Sequence, residues 1–473
     1  MWKLWAKSWV GLGGRPLVRP WALAAPVLVL MVSLPLIRLR KPAELAENEK
    51  SRLATVQAIV EQGTLVISDS RPDLAGTADR IVVRDVAPDG RAAAGEYSKL
   101  PPVMSALMAG WYWILNNLTG LTFAGDADYL IYLLTVLTVT LPVAGAAGMV
   151  YRLGRIFELP RPWRAGLGVI VVCGSGLVSY ATVISSNALA ASLVIAAAAC
   201  LFHVAAIAKP VHRAPWLAMT GFLASLAAVV DLGALVFLVL LGCVLLALRW
   251  PWGRTVAGVA LYVGGALPPL LLHAALTIPV TGDMLPGFLH PELSPPAPHV
   301  SVPASAADEL PTELSVRLSE AFDAVLGWRG LVSHFPVILV GVAGIVLVLR
   351  RHWPPATKLL ATVSLAAGLV IVITYLMTQP DWLQPMFSAR WFILFLPLLV
   401  FWAGAWLRNR HHPITWAVAA ILLAFSMLTS LVGATNPFMP TEPGQYTAYA
   451  VAKKLFQQPV PPTVGIQTVT PRR

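Results

Sequence analysis

Three cysteines in 473 residues are too few for a disulfide framework, and Cys173, Cys200 and Cys243 fall inside apolar stretches with no CxxC or Cys/His spacing. They read as small core residues, so neither a stapled nor a zinc-organised fold follows. Charge is equally scarce: Asp, Glu, Lys and Arg make up 12% of the chain against 57% hydrophobic residues, with a mean hydropathy of +0.71. A chain this long and this apolar does not fit one soluble core and reads as an all-α polytopic membrane protein. No internal repeat at a fixed period is visible, which works against duplicated halves. The first apolar run lacks a small-residue cleavage site and is expected to stay as an anchor. No compact acidic cluster offers octahedral coordination, so no metal is expected.

What is present is a net charge of +11. The basic residues sit at the ends of apolar segments, where they orient helices rather than form a nucleic-acid patch. The opening MWKLWAKSWV places Trp2, Trp5 and Trp9 at helical spacing beside Lys3 and Lys7, which fits an interfacial helix or an unstructured basic tail. A first span follows over about 21–37. Ten more apolar spans are expected near 128–150, 165–181, 188–208, 214–230, 232–248, 256–278, 331–349, 359–377, 391–407 and 414–432. Placing the N-terminus inside gives the cytoplasmic side nearly all the basic residues of the short connections, leaving only Arg390 on the outward ones. Positive-inside bias therefore puts the C-terminus outside after eleven crossings.

The organisation that results is an N-terminal interfacial segment and first span (1–38), a first extracytoplasmic loop with two surface helices (39–125) and a six-span bundle (126–278). A second extracytoplasmic loop (279–330), a four-span bundle (331–432) and an outward tail (433–473) complete it. The two long loops hold 17 of the 23 acidic residues, ten of them in the first. Within that loop ENEKSRLATVQAIVEQG carries Leu53, Val56, Ile59 and Val60 on one face and ends at Gly63, so a surface helix resting on the membrane is expected. TLVIS is a candidate strand, a turn-rich polar stretch runs to Gly95, and Pro101–Pro102 open a second surface helix with Trp111, Tyr112 and Trp113 for the interfacial belt.

This layout resembles the GT-C class of integral-membrane glycosyltransferases, which includes the protein O-mannosyltransferase and aminoarabinose-transferase branches and uncharacterised bacterial relatives. SRLATVQAIVEQGTLVI followed by YSKLPPVMSALMAGWYWIL is similar to the family's acidic residue after the first span, surface helix and Lys-Pro-Pro turn. LGWRGLVSHFP and SARWFILFLP resemble segments that begin later spans. Two departures are plain: the family's acid is commonly Asp, where this chain offers Glu47 and Glu49, and Leu100 separates Lys99 from Pro101. The resemblance implies transfer of a sugar from a polyprenyl-phosphate donor to a glycan, lipid or protein acceptor outside a bacterial inner membrane. The donor is a lipid-linked substrate and no cofactor is implied.

Such a transfer needs a base for the acceptor hydroxyl and cations for the departing phosphate. Glu49, with Glu47 second, is the candidate base, set against a plain role as helix-start acids; Asp85 and Asp89 are alternatives or turn residues. Lys99, Arg329 and Arg390 are candidates for the donor phosphate, set against snorkelling cations. Tyr97, Ser98 and His334 are candidates to orient the substrate, with a packed interfacial His as the plainer reading of His334. His203 and His273 read as core histidines, Asp231 as the tip of an outward turn rather than an ion path, and the NLT sequon at Asn117 as chance. Two other functions fit the layout: a secondary transporter, which calls for intramembrane charged pairs, and an inactive scaffold.

Overall fold

The computed structural model describes residues 20–83, 94–206, 213–248, 251–294, 313–378, 386–409, 411–439 and 444–457. The N-terminal tryptophans, Asp85 and Asp89 lie outside them. Helix α1 (Pro20–Ser33) enters the first loop, where α2 (Glu47–Gln57) and α3 (Pro102–Thr119) flank a hairpin of β1 (Arg80–Val83) and β2 (Gly95–Ser98). The bundle follows as α4 (Ala127–Phe157), α5 (Arg161–Gly174), α6 (Ser186–Ala206), α7 (Ala214–Val230), α8 (Leu235–Ala247) and α9 (Trp252–Thr281). After α10 (Glu313–Val325) come α11 (Ile338–Arg350), α12 (Pro355–Thr378), α13 (Leu396–Leu407), α14 (Pro413–Thr435) and a returning α15 (Thr447–Gln457).

Among the described residues α4, α6, α9, α12 and α14 are long and apolar enough to cross a membrane, and Trp21–Leu36, α7, α8, α11 and α13 are shorter apolar helices. The protein is an integral membrane protein with an almost wholly helical, GT-C-like architecture. Helix α6 is the centre, with 78% of its most apolar window buried, whereas α9 and α14 bury only 28% and turn apolar faces outward. One continuous apolar core runs from Ala25 to Val451; a small second one gathers Val66, Ile81 and Tyr97 under the hairpin.

Several elements depart from expectation for identifiable reasons. The stretch 165–181 is broken after Gly174, because Gly176 takes a left-handed φ of +76° and the Phe335 ring fills the space where its Cβ would stand. The stretch 331–349 is split at Phe335–Val337, where Pro336 supplies no N–H and the Val337 N–H donates instead to Ser426 Oγ at 3.0 Å. Residues 391–407 begin as a 3-10 turn, Arg390–Leu394, before α13. TLVIS is no strand: Ile67–Asp69 is a 3-10 turn, and the strands form at 80–83 and 95–98, paired antiparallel with Ile81 opposite Tyr97. Helix α2 does not rest on a membrane face either, since Glu49 and Ser51 through Ala58 are all buried, covered by α3 and the hairpin. Its end is as expected, with Gly63 at φ +68°.

Helices α7 and α9 approach backbone to backbone. A Cβ on Gly265 would lie 2.0 Å from the Ala218 carbonyl oxygen, whereas one on neighbouring Gly264 would meet nothing within 4 Å. Small residues permit such contact between membrane helices. Gly265→Ala is therefore expected to lower unfolding stability by about 1–3 kcal/mol through overpacking, and Gly264→Ala to be neutral or mildly stabilising. Thermal unfolding of the two variants side by side checks this; equal effects would refute the close approach.

Candidate functional site

Glu49 stands at the third position of α2, and its carboxylate accepts four hydrogen bonds. Arg40 donates from both terminal nitrogens at 2.7 and 2.8 Å, the Ala46 N–H at 3.2 Å and the Ile184 N–H at 3.0 Å. The side chain has 0% exposure. With four donors on its two oxygens, Glu49 fastens the first loop to the bundle. Glu47 is also engaged: its Oε1 pairs with Lys50 at 2.9 Å and its Oε2 accepts from the Ala78 N–H at 2.7 Å. Burial acts against this carboxylate, yet the Ala78 N–H and Lys50 hold it below its ordinary value.

The turn that Glu47 holds presents Asp79, whose Oδ1 pairs with Lys99 Nζ at 2.7 Å. Lys99 thus keeps a carboxylate beside it, one turn of loop from Pro101. Ser98 shares a 2.6 Å hydrogen bond with Ser51 and accepts from the Leu100 N–H, so it ties the hairpin to α2. Tyr97 is buried against Val66 and Ile81. Both line a small cavity of about 30 Å³ together with Thr55, Leu100 and Thr277.

The charged centre is built from a different set. Arg52, three residues beyond Glu49, is 2% exposed; its only direct bond among the described residues is a long 3.4 Å contact to the Pro101 carbonyl, and its Nε is buried without a partner. Arg390 is half-buried, its Nε likewise unpartnered, its guanidinium 4.2 Å from the Trp391 ring centre, with Tyr375 stacked on that ring. Burial lowers Arg52 to about 10, with Arg390 adding to the fall and Asp231 and Asp79 opposing it. Burial also lowers Arg390, against the pull of Tyr180, Asp79, Tyr375 and Asp231. The two lie within electrostatic reach of each other, and no carboxylate among the described residues reaches either within ion-pair distance.

Asp231 closes the turn between α7 and α8. It is 6% exposed, accepts from the Gly233 N–H at 3.1 Å, and receives Asn187 at 2.7 Å and Ser186 at 3.3 Å from the start of α6. Burial raises its carboxyl above the ordinary value, while the Gly233 N–H, Arg52, Ser186 and Arg390 hold the rise down. It is a turn acid, and it also answers the two arginines from the bundle side.

Arg329 and His334 lie beside the segment that leads into Arg390, through Ser388 and Thr447. The charge that Arg329 feels is that of Asp323, and its carbonyl accepts from Ser388 Oγ at 3.3 Å. His334 has 0% exposure: Nδ1–H donates to the Gly330 carbonyl at 3.0 Å, Nε2 accepts from the Thr447 hydroxyl at 2.7 Å, and Tyr446 stacks on the ring at 4.4 Å. It latches α15 to the second loop and lines no mouth. Sequence reasoning missed Arg52 and Asp79. Arg52 left a signal, since it falls on the same stripe as Val56 and Ile59, where a charge is out of place; Asp79 left none.

Two outcomes follow. Glu49→Gln strands Arg40 and is expected to cost about 3 kcal/mol of stability, with the folded fraction keeping whatever activity the wild type has; a folded variant that is inert would return Glu49 to the chemistry. Burial pushes His334 down to about 4 from an ordinary 6.5. Its neutral form is the folded one, so the latch is complete above pH 6.5 and weakens as pH falls from 6.5 towards 4. Hydrogen exchange of residues 447–457, corrected for intrinsic rates, should rise over that window in the wild type and not in His334→Asn.

No family model and no curated protein matches the chain. Among solved structures, apo ArnT from Cupriavidus metallidurans is similar at a TM-score of 0.51 and 14% identity over 87% of this chain and 63% of that one. ArnT of the same organism bound to undecaprenyl phosphate gives 0.48 and 12% over 88% and 69%, and the Archaeoglobus fulgidus oligosaccharyltransferase 0.48 and 11% over 89% and 57%. The chain spans less than two thirds of apo ArnT's length. Taken over its own helices and first-loop hairpin, the chain has the GT-C membrane fold, similar to that of apo ArnT.

Proposed function

We propose that the protein is a membrane glycosyltransferase that moves a sugar from a polyprenyl-phosphate donor to an acceptor at the outward face of a bacterial inner membrane, with the N-terminus inside. The observation that carries this reading is the pair of guanidiniums with buried, unpartnered Nε atoms, Arg52 and Arg390, without a carboxylate bound to either among the described residues. Two arginines held in this way favour an anion beside them, and a phosphate oxygen fits their forked donors.

In this mechanism the acceptor hydroxyl attacks the anomeric carbon and the bond from that carbon to the phosphate oxygen breaks. The leaving lipid phosphate keeps the electron pair, and Arg52 and Arg390 stabilise its growing charge. The hydroxyl proton passes to Asp79, with Lys99 holding that carboxylate in place. Attack from the face opposite the phosphate inverts the anomeric carbon. The transport alternative loses its one intramembrane acid, because Asp231 is engaged in closing a turn.

Removing either arginine as Arg52→Gln or Arg390→Gln should cut lipid-sugar turnover about 10²–10³-fold, as loss of a charge-stabilising donor does. Asp79→Asn should cut it about 10²–10⁴-fold. Turnover of a radiolabelled polyprenyl-phosphate sugar by purified variants of normal thermal stability reads this out. Full activity in both arginine variants would remove the proposal, whereas full activity in Asp79→Asn alone would move the base elsewhere.

A further inference from the structure

The turn that leaves α9 is fastened both to the first loop and to itself. Gly282 takes a left-handed φ of +89° and ends the helix, and Asp283 follows, its Oδ1 accepting from the Leu285 N–H at 2.7 Å. His273, two turns before the end of α9, donates from Nε2 to the Met284 carbonyl at 2.9 Å, with its Nδ1 facing the Thr277 hydroxyl at 3.4 Å. A 3-10 turn, Gly287–Leu289, then meets the hairpin. The Phe288 N–H donates to the Lys99 carbonyl at 2.9 Å, and a Cβ on Gly287 would stand 2.9 Å from Ile81 Cδ1 and 3.1 Å from Lys99 Cα. The backbone that carries the Lys99–Asp79 pair is therefore in direct contact with this turn.

His290 closes it. The ring is 12% exposed and stands between two carboxylates, with Nδ1 2.8 Å from Glu292 Oε1 and Nε2 3.2 Å from Asp283 Oδ1. An ionised carboxylate only accepts, and a neutral imidazole carries one N–H, so either tautomer serves one of the two acids. The imidazolium serves both. The acids are held in their ionised form: the Leu285 N–H, then His290, keeps Asp283 below its ordinary value, and the backbone N–H of Glu292, then His290, does the same for Glu292. Burial works against the charged ring, but the hydrogen bonds and charges of Glu292 and Asp283 outweigh it and raise His290 above its ordinary value. The other charges on the elements packed against the turn are already paired among the described residues, Arg80 of β1 with Glu96 at 3.0 Å and Lys99 with Asp79 at 2.7 Å.

We propose that His290 is a pH-operated clip: as an imidazolium it bridges Asp283 to Glu292 and keeps residues 287–288 seated on Lys99, and on losing its proton it lets one carboxylate go and loosens that seat. The clip is complete below an ordinary histidine value of 6.5 and weakens as pH rises through the raised value of the folded state. Its direction is opposite to that of the His334 latch, which weakens as pH falls. The clip joins the two loops whether or not the transferase reading holds, because it rests on contacts outside the arginine pair.

Hydrogen exchange of residues 284–293 in the full chain, corrected for intrinsic rates and followed from pH 5.5 to 8.5, tests it. Protection in the wild type should fall about threefold over that range. His290→Asn should be less protected at pH 5.5 and show no further fall, and Glu292→Gln, which leaves Asp283 in reach of the ring, should show a smaller fall than the wild type. Constant protection in the wild type overturns the clip. So does an equal fall in His290→Asn, which would place the titration on another group, or an undiminished fall in Glu292→Gln, which would leave the bridge without its second arm.

Discussion

A carboxylate withdrawn from water must be met by charge or hydrogen bonds on every side, and in this protein the carboxylate of Glu49 ties the first loop to the bundle. It joins three segments that are distant in sequence: Arg40 at the exit of the first helix, the start of α2, and the backbone at Ile184 before α6. Because α6 is the most enclosed helix, α2 is referenced to the rigid centre of the molecule and not to a mobile surface. A bidentate arginine with two backbone donors also fixes direction, which a hydrophobic contact would not.

The depth of Arg52 follows from that anchoring. On a helix free to float at a membrane surface, an arginine would snorkel to water. Here α3 covers the helix and the hairpin closes its side, so the guanidinium stays inside and must be balanced there. Arg390 reaches the same region from a 3-10 turn that α13 cannot absorb into its helix, held flat against Trp391. The cation–π contact and the neighbouring Tyr375 make Arg390 tolerable without a bound carboxylate.

The helical membrane character was legible in the sequence, since apolar length reports candidate spans directly. Breaks within spans were harder. Pro336 and Gly176 are visible as letters, but only Phe335 filling the space beside Gly176 explains why the chain bends there. Carboxylates and cations near the first loop and the late bundle stand out in the sequence as candidates, yet their pairing does not. Glu49 and Asp79 look alike in sequence, and what separates them is whether four donors surround the oxygens or one lysine does. The same holds for His334, whose burial depends on Thr447 more than a hundred residues later.

The charge count of the centre gives the proposed reaction a further logic. Arg52, Arg390 and Lys99 contribute three positive charges, and Asp79 and Asp231 two negative ones, while the Arg40–Glu49 pair is neutral in itself. At these formal charges one positive charge is left over among partly buried groups, where an unbalanced charge is costly. A polyprenyl-phosphate sugar is a phosphodiester with one negative charge, so the loaded site is neutral. Transfer turns the phosphodiester into a monoester of nearly two negative charges, and the acceptor's proton, taken up by Asp79, leaves the site with two positive ones. Donor and product states are then balanced alike, because the proton that the base accepts offsets the added charge of the leaving phosphate.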